Sequence, residues 1–411
     1  MAKKRGILNQ VFRSERCSRF ELAQRLNINA TMVGRYVNEF LDVGILLEGE
    51  PVQSRPGRAP VPLQLNPDYG TFVGLDFEAL RARAVLCDFG GGVLKEEEVS
   101  LPASPSREEA LETITELARR MVEQADGPVF AVGVAAPGQV DVRSGRILHY
   151  RLLPDFDQVP VRERMEAALG PDVPVFVEDN IRAVAYAELL RGAGRGNSDF
   201  LCLAVRSGVG LGIVIDGRVY RGANALAGEV GYTVLPTDGG PKLVTDLVSA
   251  TGFVESTRAM LRSWQKTDSR QRLLDKGEDL RLSDLVEEAQ AGDDLLDACL
   301  EELGERLGTI LANLANLFAP EKIVLSGEVP NCCSTVRQAL EETFREHVLP
   351  QILKTTYLED GRLGGIAGAL GAAWMGFSWS FPEDEETILA QVRSGSAGTH
   401  AEDLDVPARA P

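Results

Sequence analysis

From Thr71 the chain writes one pattern twice, and that repetition limits its fold more than any other feature. TFVGLDFE, RARAVLCDFGG and VLKEEEVSL read as three consecutive strands, with Gly90 to Gly92 marking the middle turn. A helix fits Arg107 to Gln124, followed by the buried strand PVFAVGVA, the loop APGQVD, the strand PVFVED and a helix from Ile181 to Leu190. The second round begins with DFLCLAVRSG, LGIVIDG and RVYRG as strands, with Asp216-Gly217 as a hairpin turn. Helices follow, one of them long, from about Asp293 to Phe318, and then the strand EKIVLSGEV. The last glycine-rich run, LGGIAGALGAAWMG, suits a tightly packed helix. Antiparallel strands followed by alternating helix and strand, done twice, predict an α/β body of two related lobes.

The residues before Thr71 carry a different pattern. Ile7, Leu8, Val11 and Phe12 form a helical stripe. Ser18 with Glu21 is a capping-box signal for a second helix, with Leu22 and Leu26 on its buried side. After the turn NIN, Asn29 can cap a third helix running to about Val43, with Gly44 beyond its end. Val33, Val37, Phe40 and Leu41 share one face of that helix, and Thr31, Arg35 and Asn38 the other. ILLEGE and VPLQL read as two short strands around the tip SRPGRAP. Two helices at a tight turn, then a basic hairpin, predict a winged helix-turn-helix. Its third helix would lead with Asn29, Ala30, Thr31 and Arg35, supported by Asn38. Arg55, Gly57 and Arg58 would form a wing along phosphates or in a minor groove. A small helical domain used for protein contacts has the same outline without the charge.

Charge separates the two parts. Residues 1–60 net +4, whereas the whole chain nets −18, leaving −22 on the remainder. An acidic body repels DNA, so any duplex contact is expected on the basic head alone. No apolar run approaches the ~20 residues of a membrane span. The basic start MAKKRGILNQVFRSER has no apolar segment after it, so a secretory signal is not expected. The six cysteines show no C-x-x-C pairing, which favours reduced thiols and a cytoplasmic location. Three histidines argue against a zinc site built from imidazoles. The expected domains are a winged helix-turn-helix at 1–65, lobes of an actin-like body at 66–195 and 196–380, and a disordered tail at 381–411. The last helix is expected to pack back on the first lobe. A two-lobed body of this kind closes around a ligand between its lobes.

The strings VGLDFEALRARAVLCDFGG, AVGVAAPGQVDVRSGRIL, VPVFVEDNIRAVAYAE, SGVGLGIVIDGRVYRGANALAGEVGY and PEKIVLSGEV resemble the ROK family (repressor, open reading frame, kinase). With the preceding head and its GRAP wing, the chain is similar to the family's transcriptional regulators. The resemblance implies a sugar-kinase-like body, and the family's kinases phosphorylate sugars with ATP and Mg²⁺. Several positions depart from that activity. Where the kinases have an Asp followed by Gly-Gly-Thr, whose bare amides approach ATP phosphates, Asp76 is followed by Phe77, Glu78, Ala79 and Leu80. The kinase Glu-Asn-Asp is here Glu178-Asp179-Asn180, so an amide, Asn180, stands where the family's catalytic Asp would take a proton. In the zinc module, Gly228-Glu229-Val230-Gly231 is followed by Tyr232 instead of His, and LPTDGGPKLVTD holds no cysteine. No metal is expected, and packing should hold that loop. The family's second sugar-binding Glu falls on Thr245, beside Asp246, and SGEV stands at Ser326 to Val329 in place of a glycine run.

The resemblance and these departures together imply a regulator, expected to be a repressor, on a catalytically silent body, with no catalytic residue and no cofactor. Its partners would be double-stranded DNA with an inverted-repeat operator and a second copy, as a homodimer or homotetramer. A sugar or sugar derivative would be bound by Asp179, Asn180, Glu229 and Tyr232. The rival reading is an ATP-dependent sugar kinase with an accessory DNA-binding head.

Overall fold

The computed structural model describes residues 3–51, 60–102, 105–153, 155–264 and 267–381. The expected wing residues Arg55, Gly57 and Arg58 and the expected tail beyond Phe381 lie outside the described residues, whereas Phe381 itself is buried against Phe377 and not part of a tail.

The chain opens with α1 (Lys3–Ser14), β1 (Cys17–Ser18), α2 (Arg19–Leu26), α3 (Ala30–Asp42), β2 (Leu46–Glu48) and β3 (Pro62–Leu65). The Ser18–Glu21 capping box forms in both directions, satisfying amides at the start of α2. Asn27, in the left-handed region at φ 52°, ends α2, and Asn29 caps α3 by accepting from the Met32 amide. The strands form an antiparallel sheet ordered β1-β3-β2. Sequence reading missed β1, because two residues carry no periodicity.

Next come β4 (Thr71–Phe77), β5 (Arg81–Asp88), β6 (Val93–Ser100), α4 (Arg107–Glu123), β7 (Val129–Ala136), β8 (Gln139–Asp141), β9 (Arg146–His149), β10 (Asp157–Val159), α5 (Val161–Leu169), β11 (Val175–Asp179) and α6 (Asn180–Arg191). Five of these strands build a sheet ordered β11-β7-β4-β5-β6, antiparallel at β4–β5–β6 and parallel at β4–β7–β11. A separate three-stranded sheet, β10-β9-β8, grows from the loop after β7.

The remaining elements repeat the scheme. They are β12 (Phe200–Val205), β13 (Val209–Ile215), β14 (Arg218–Val219), β15 (Val234–Leu235), β16 (Lys242–Leu243), α7 (Val244–Val248), α8 (Ala250–Leu261), α9 (Asp268–Asp275), α10 (Leu282–Gln290), α11 (Asp294–Phe318), β17 (Lys322–Ser326), α12 (Ser334–His347), α13 (Pro350–Leu353), β18 (Tyr357–Asp360) and α14 (Ala367–Ser380). Their sheet is ordered β14-β13-β12-β17-β18. Positive φ at both Asp216 (51°) and Gly217 (67°) gives the twisted two-residue turn expected between β13 and β14. Asp293 caps α11 through the Leu295 and Leu296 amides. The bare Cα atoms of Gly304 and Gly308 let α11 approach the α12 backbone, where an added Cβ would lie 2.5 and 2.6 Å from the Val336 and Leu340 carbonyls.

The chain packs as two units, one running to Ala183 and resuming at Gly368, the other Val184–Ala367. The divide thus falls inside α6 and at the start of α14, upstream of the 195/196 break expected from sequence. The head belongs to the first unit. There α14 lies against the sheet with no side-chain spacer: a Cβ on Gly74 or Gly133 would meet the Ala369 or Ala372 carbonyl at 1.9 or 2.0 Å. A Cβ on Gly371 would meet the Ala183 carbonyl of α6 at 1.9 Å. At its far end α14 grips the head, with Phe377 stacked on Phe12 of α1 at 4.3 Å. No described helix is long and apolar enough to cross a membrane.

Candidate nucleic-acid interface and effector site

On α3 the two faces separate as the periodicity requires. Val33, Tyr36, Val37 and Phe40 are buried, while Ala30, Thr31, Arg35 and Asn38 are exposed, as is the cap Asn29. Arg35 is held as a flat fork: its guanidinium lies 4.8 Å over the Tyr36 ring, and its Nε is 3.7 Å from Glu39. Glu39 is itself fixed at 2.8 Å by the buried Lys4 of α1. Arg19 donates to Asn38 Oδ1 at 3.2 Å and also pairs with Glu48 of β2. Three elements therefore orient this polar face.

Sequence reading missed Arg19, Glu48, Tyr36 and Gly34. Gly34 lies one position before Arg35, and a Cβ there would meet nothing within 4 Å. Nothing in the fold demands glycine at this point, and a mid-helix glycine costs roughly 0.5–1 kcal/mol relative to alanine. That cost was the available signal.

A second polar cluster sits at the C-terminal ends of β4, β7 and β11. The parallel registers align Asp76, Ala135 and Glu178 across three strands. Asp76 is buried, and a Cβ on Gly368 of α14 would fall 2.2 Å from its Oδ2. The residues after Asp76 offer no glycine cradle. Phe77 is buried in the core, and Glu78 is buried beside Arg81 at 4.0 Å. The Glu78 amide donates to the Arg81 carbonyl, closing a β-hairpin where bare glycine amides would be needed.

Glu178 and Arg182 form a buried ion pair, each side chain 2% exposed, with Arg182 Nε donating to Glu178 Oε1 at 2.8 Å. Asp179 caps α6, accepting from the Ile181 and Arg182 amides at 3.1 and 2.9 Å, while its own amide donates to Glu178 Oε1 at 2.9 Å. Asn180 is the first residue of α6 and is buried. Asp179 and Asn180 therefore differ in place: one caps α6 and the other opens it.

Burial pushes the Asp179 carboxyl above the usual carboxylate range, against the opposing pull of Arg182. A folded-state pKa raised in this way favours folding below the unfolded pKa, and that contribution is lost as pH rises through the folded value. Asp179→Asn keeps the capping oxygen and removes the penalty. Its Tm at pH 7 is expected to rise, with the gain vanishing below ~pH 4, as thermal melts across pH would record.

In the other unit, Gly228 (φ 99°) and Gly231 seat the motif on β13. A Cβ on either would approach the Leu211 or Val209 carbonyl at 2.0 or 2.7 Å. Glu229 is half-buried and Tyr232 is 43% exposed. Thr245 lies beside Gly231, at 3.4 Å from the same hypothetical Cβ. The loop between Tyr232 and Thr245 is held by packing, with Leu235 against the core and Val244 buried in it, and by hydrogen bonds. β15 pairs with β16, and Thr237 and Gly240 exchange two bonds across the turn. Among the described residues no group of three or more His, Cys, Asp or Glu could hold a metal ion.

Comparison with known proteins joins these features. The xylose repressor of Caldicellulosiruptor bescii is 26% identical over 389 residues, covering 92% of this chain and 96% of that protein. A solved ROK family transcriptional regulator, a homologue of the E. coli MLC protein, shares the fold at a TM-score of 0.73 and 22% identity, over 95% of this chain and 98% of that one. A ROK family glucokinase from Streptomyces griseus, in complex with glucose and AMPPNP, gives a TM-score of 0.64 at 27% identity. It covers 74% of this chain and 99% of its own. The pattern of the ROK family matches residues 72–377, well over half the length, and this chain belongs to the ROK family.

Proposed function

We propose that the protein is a DNA-binding, sugar-responsive transcriptional repressor whose kinase-like body carries out no phosphoryl transfer. The observation that carries this reading is the braced polar face of α3. Asn29, Thr31, Arg35 and Asn38 stand exposed on a capped helix, and Arg19, Glu48, Tyr36 and Glu39 fix their orientation. A winged helix-turn-helix places such a helix in the major groove. Coverage adds support: the repressor similarity spans 92% of the chain and so extends into the residues before 72, whereas the glucokinase similarity spans 74%. The described wing strands are β2 and β3, and Arg55, Gly57 and Arg58 complete the proposed contact set. The proposed effector contacts are taken unit by unit, Asp179 and Asn180 in the first and Glu229 and Tyr232 in the second, carboxylates, an amide and a phenol that each suit a hydroxyl-bearing ligand.

The proposed absence of catalysis rests on three features at Asn180 and Glu78. Asn180 cannot accept a proton at useful pH. Glu78 adds a buried carboxylate in place of a family glycine, and its amide is already bonded to the Arg81 carbonyl rather than open to a phosphate. An accessory-headed sugar kinase would need all three reversed, so Asn180→Asp alone is expected to give no sugar-dependent ADP formation.

Two substitutions test the head. Arg35→Ala is expected to cost about tenfold or more on a selected operator and much less on random duplex, read by fluorescence anisotropy. Equal losses on both would remove Arg35 from base reading. Gly34→Ala is expected to stabilise the fold by about 0.5–1 kcal/mol in urea titration. The same variant should weaken duplex binding about tenfold, because the added methyl keeps the helix from the groove. Unchanged affinity would show that DNA does not approach Gly34.

A further inference from the structure

One large aromatic ring on the head stands in solvent. Phe20, the second residue of α2, is 68% exposed, more than any other described aromatic side chain. Its place is fixed from both sides. Ser18 and Glu21 close the capping box around this turn, and β1, which leads into it, pairs with β3 of the head's sheet. An aromatic residue forms helix less readily than alanine, so the fold of α2 gives no reason for a phenyl ring at this point.

The neighbours of Phe20 show which way it faces. Arg19 reaches α3, donating to Asn38 Oδ1, and Arg25 reaches α1, donating to Ser14 Oγ at 2.8 Å. At 3.6 residues per turn, Phe20 lies about 100° around α2 from Arg19 and about 140° from Arg25, on the outward face beside α3. The exposed row Thr31, Arg35 and Asn38 of α3 meets α2 at Arg19, and Phe20 continues it. Charge suits a polyanion here. Arg16, just before β1, and Arg35 are exposed, and residues 1–60 net +4.

We infer that Phe20 packs against the C5-methyl group of a thymine at the edge of the site that α3 reads. This rests on the DNA-binding reading above. In the major groove the base edges offer hydrogen-bond donors and acceptors, and the thymine methyl is the apolar group among them. A phenyl ring has no polar atom to match a donor or acceptor, so it is complementary to that methyl alone. The ring would add a base preference beyond the span of α3.

Fluorescence anisotropy of the intact protein on the selected duplex tests this, with each thymine replaced in turn by deoxyuridine, which lacks only the methyl. In the wild type one flanking replacement is expected to weaken binding about fourfold, the worth of one buried methyl. Phe20→Ala is expected to weaken binding to the thymine duplex on the order of tenfold and to bind that deoxyuridine duplex equally well. Phe20→Leu, still apolar, should restore part of both effects. The side chain faces solvent, so circular dichroism and Tm of both variants should match the wild type. Full duplex affinity in Phe20→Ala, a wild type indifferent to every methyl, or survival of every deoxyuridine penalty in Phe20→Ala would overturn the inference and leave the DNA-binding reading standing. Altered self-association of Phe20→Ala with unchanged duplex affinity would overturn it in favour of contact between copies. A wild type that binds no duplex would overturn the DNA-binding reading itself, and this inference with it.

Discussion

Phe12→Ala is expected to destabilise the protein by about 3–5 kcal/mol, in the range of large aromatic deletions from a packed core. Phe12 is 2% exposed and belongs to α1, yet its ring packs on the body: it stacks on Phe377 and meets Trp374 edge-on at 6.3 Å. Trp374 in turn donates its Nε1 hydrogen to the Gly91 carbonyl at 3.1 Å, so the loop after β5 closes the cluster. Alanine leaves a cavity walled by rigid rings that cannot collapse into it. Urea denaturation measures the loss, and limited proteolysis should show faster cleavage ahead of residue 66. A cost under about 1 kcal/mol would mean that α14 does not anchor the head.

Arg182→Ala is expected to cost about 3–5 kcal/mol for a different reason. The arginine is the partner of a carboxylate that is itself 2% exposed, and its removal strands the Glu178 charge in the interior. Replacing both partners, Glu178→Gln with Arg182→Met, removes the charge with the pair and should recover most of the loss. The double-mutant cycle measured by urea titration separates the two effects, because the residues are in direct contact and their substitutions are not additive. Additive losses would show that the pair is not coupled.

The main strands and helices were legible because each is long enough to show its period. The three-residue strands β8 and β10 and the edge strand β18 were not, because so few residues express no alternation. Capping made the head readable: Ser18, Glu21 and Asn29 make the bonds their spacing suggests. The unit boundary was harder, since it falls within α6 and no glycine or proline run marks it. Packing also sets the path of the chain beyond Asp76. Sequence showed that the family's glycines after Asp76 are missing, but not that Phe77 is buried in the core or that the β4–β5 hairpin folds Glu78 onto Arg81. The proposed effector residues rest on the family resemblance, while the capping role of Asp179 appeared only with α6 in place.

The most direct measurement uses one preparation of the intact protein in two parallel titrations. A duplex selected from sheared genomic DNA is followed by anisotropy across salt concentration and against a panel of sugars. The same sugars are assayed for ADP release with ATP and Mg²⁺. The expected result is preferential binding of the selected duplex, a log–log loss of affinity with salt, release by a sugar or derivative, and no sugar-dependent ADP. Sugar-dependent ADP formation together with equal affinity for selected and random duplex would contradict it.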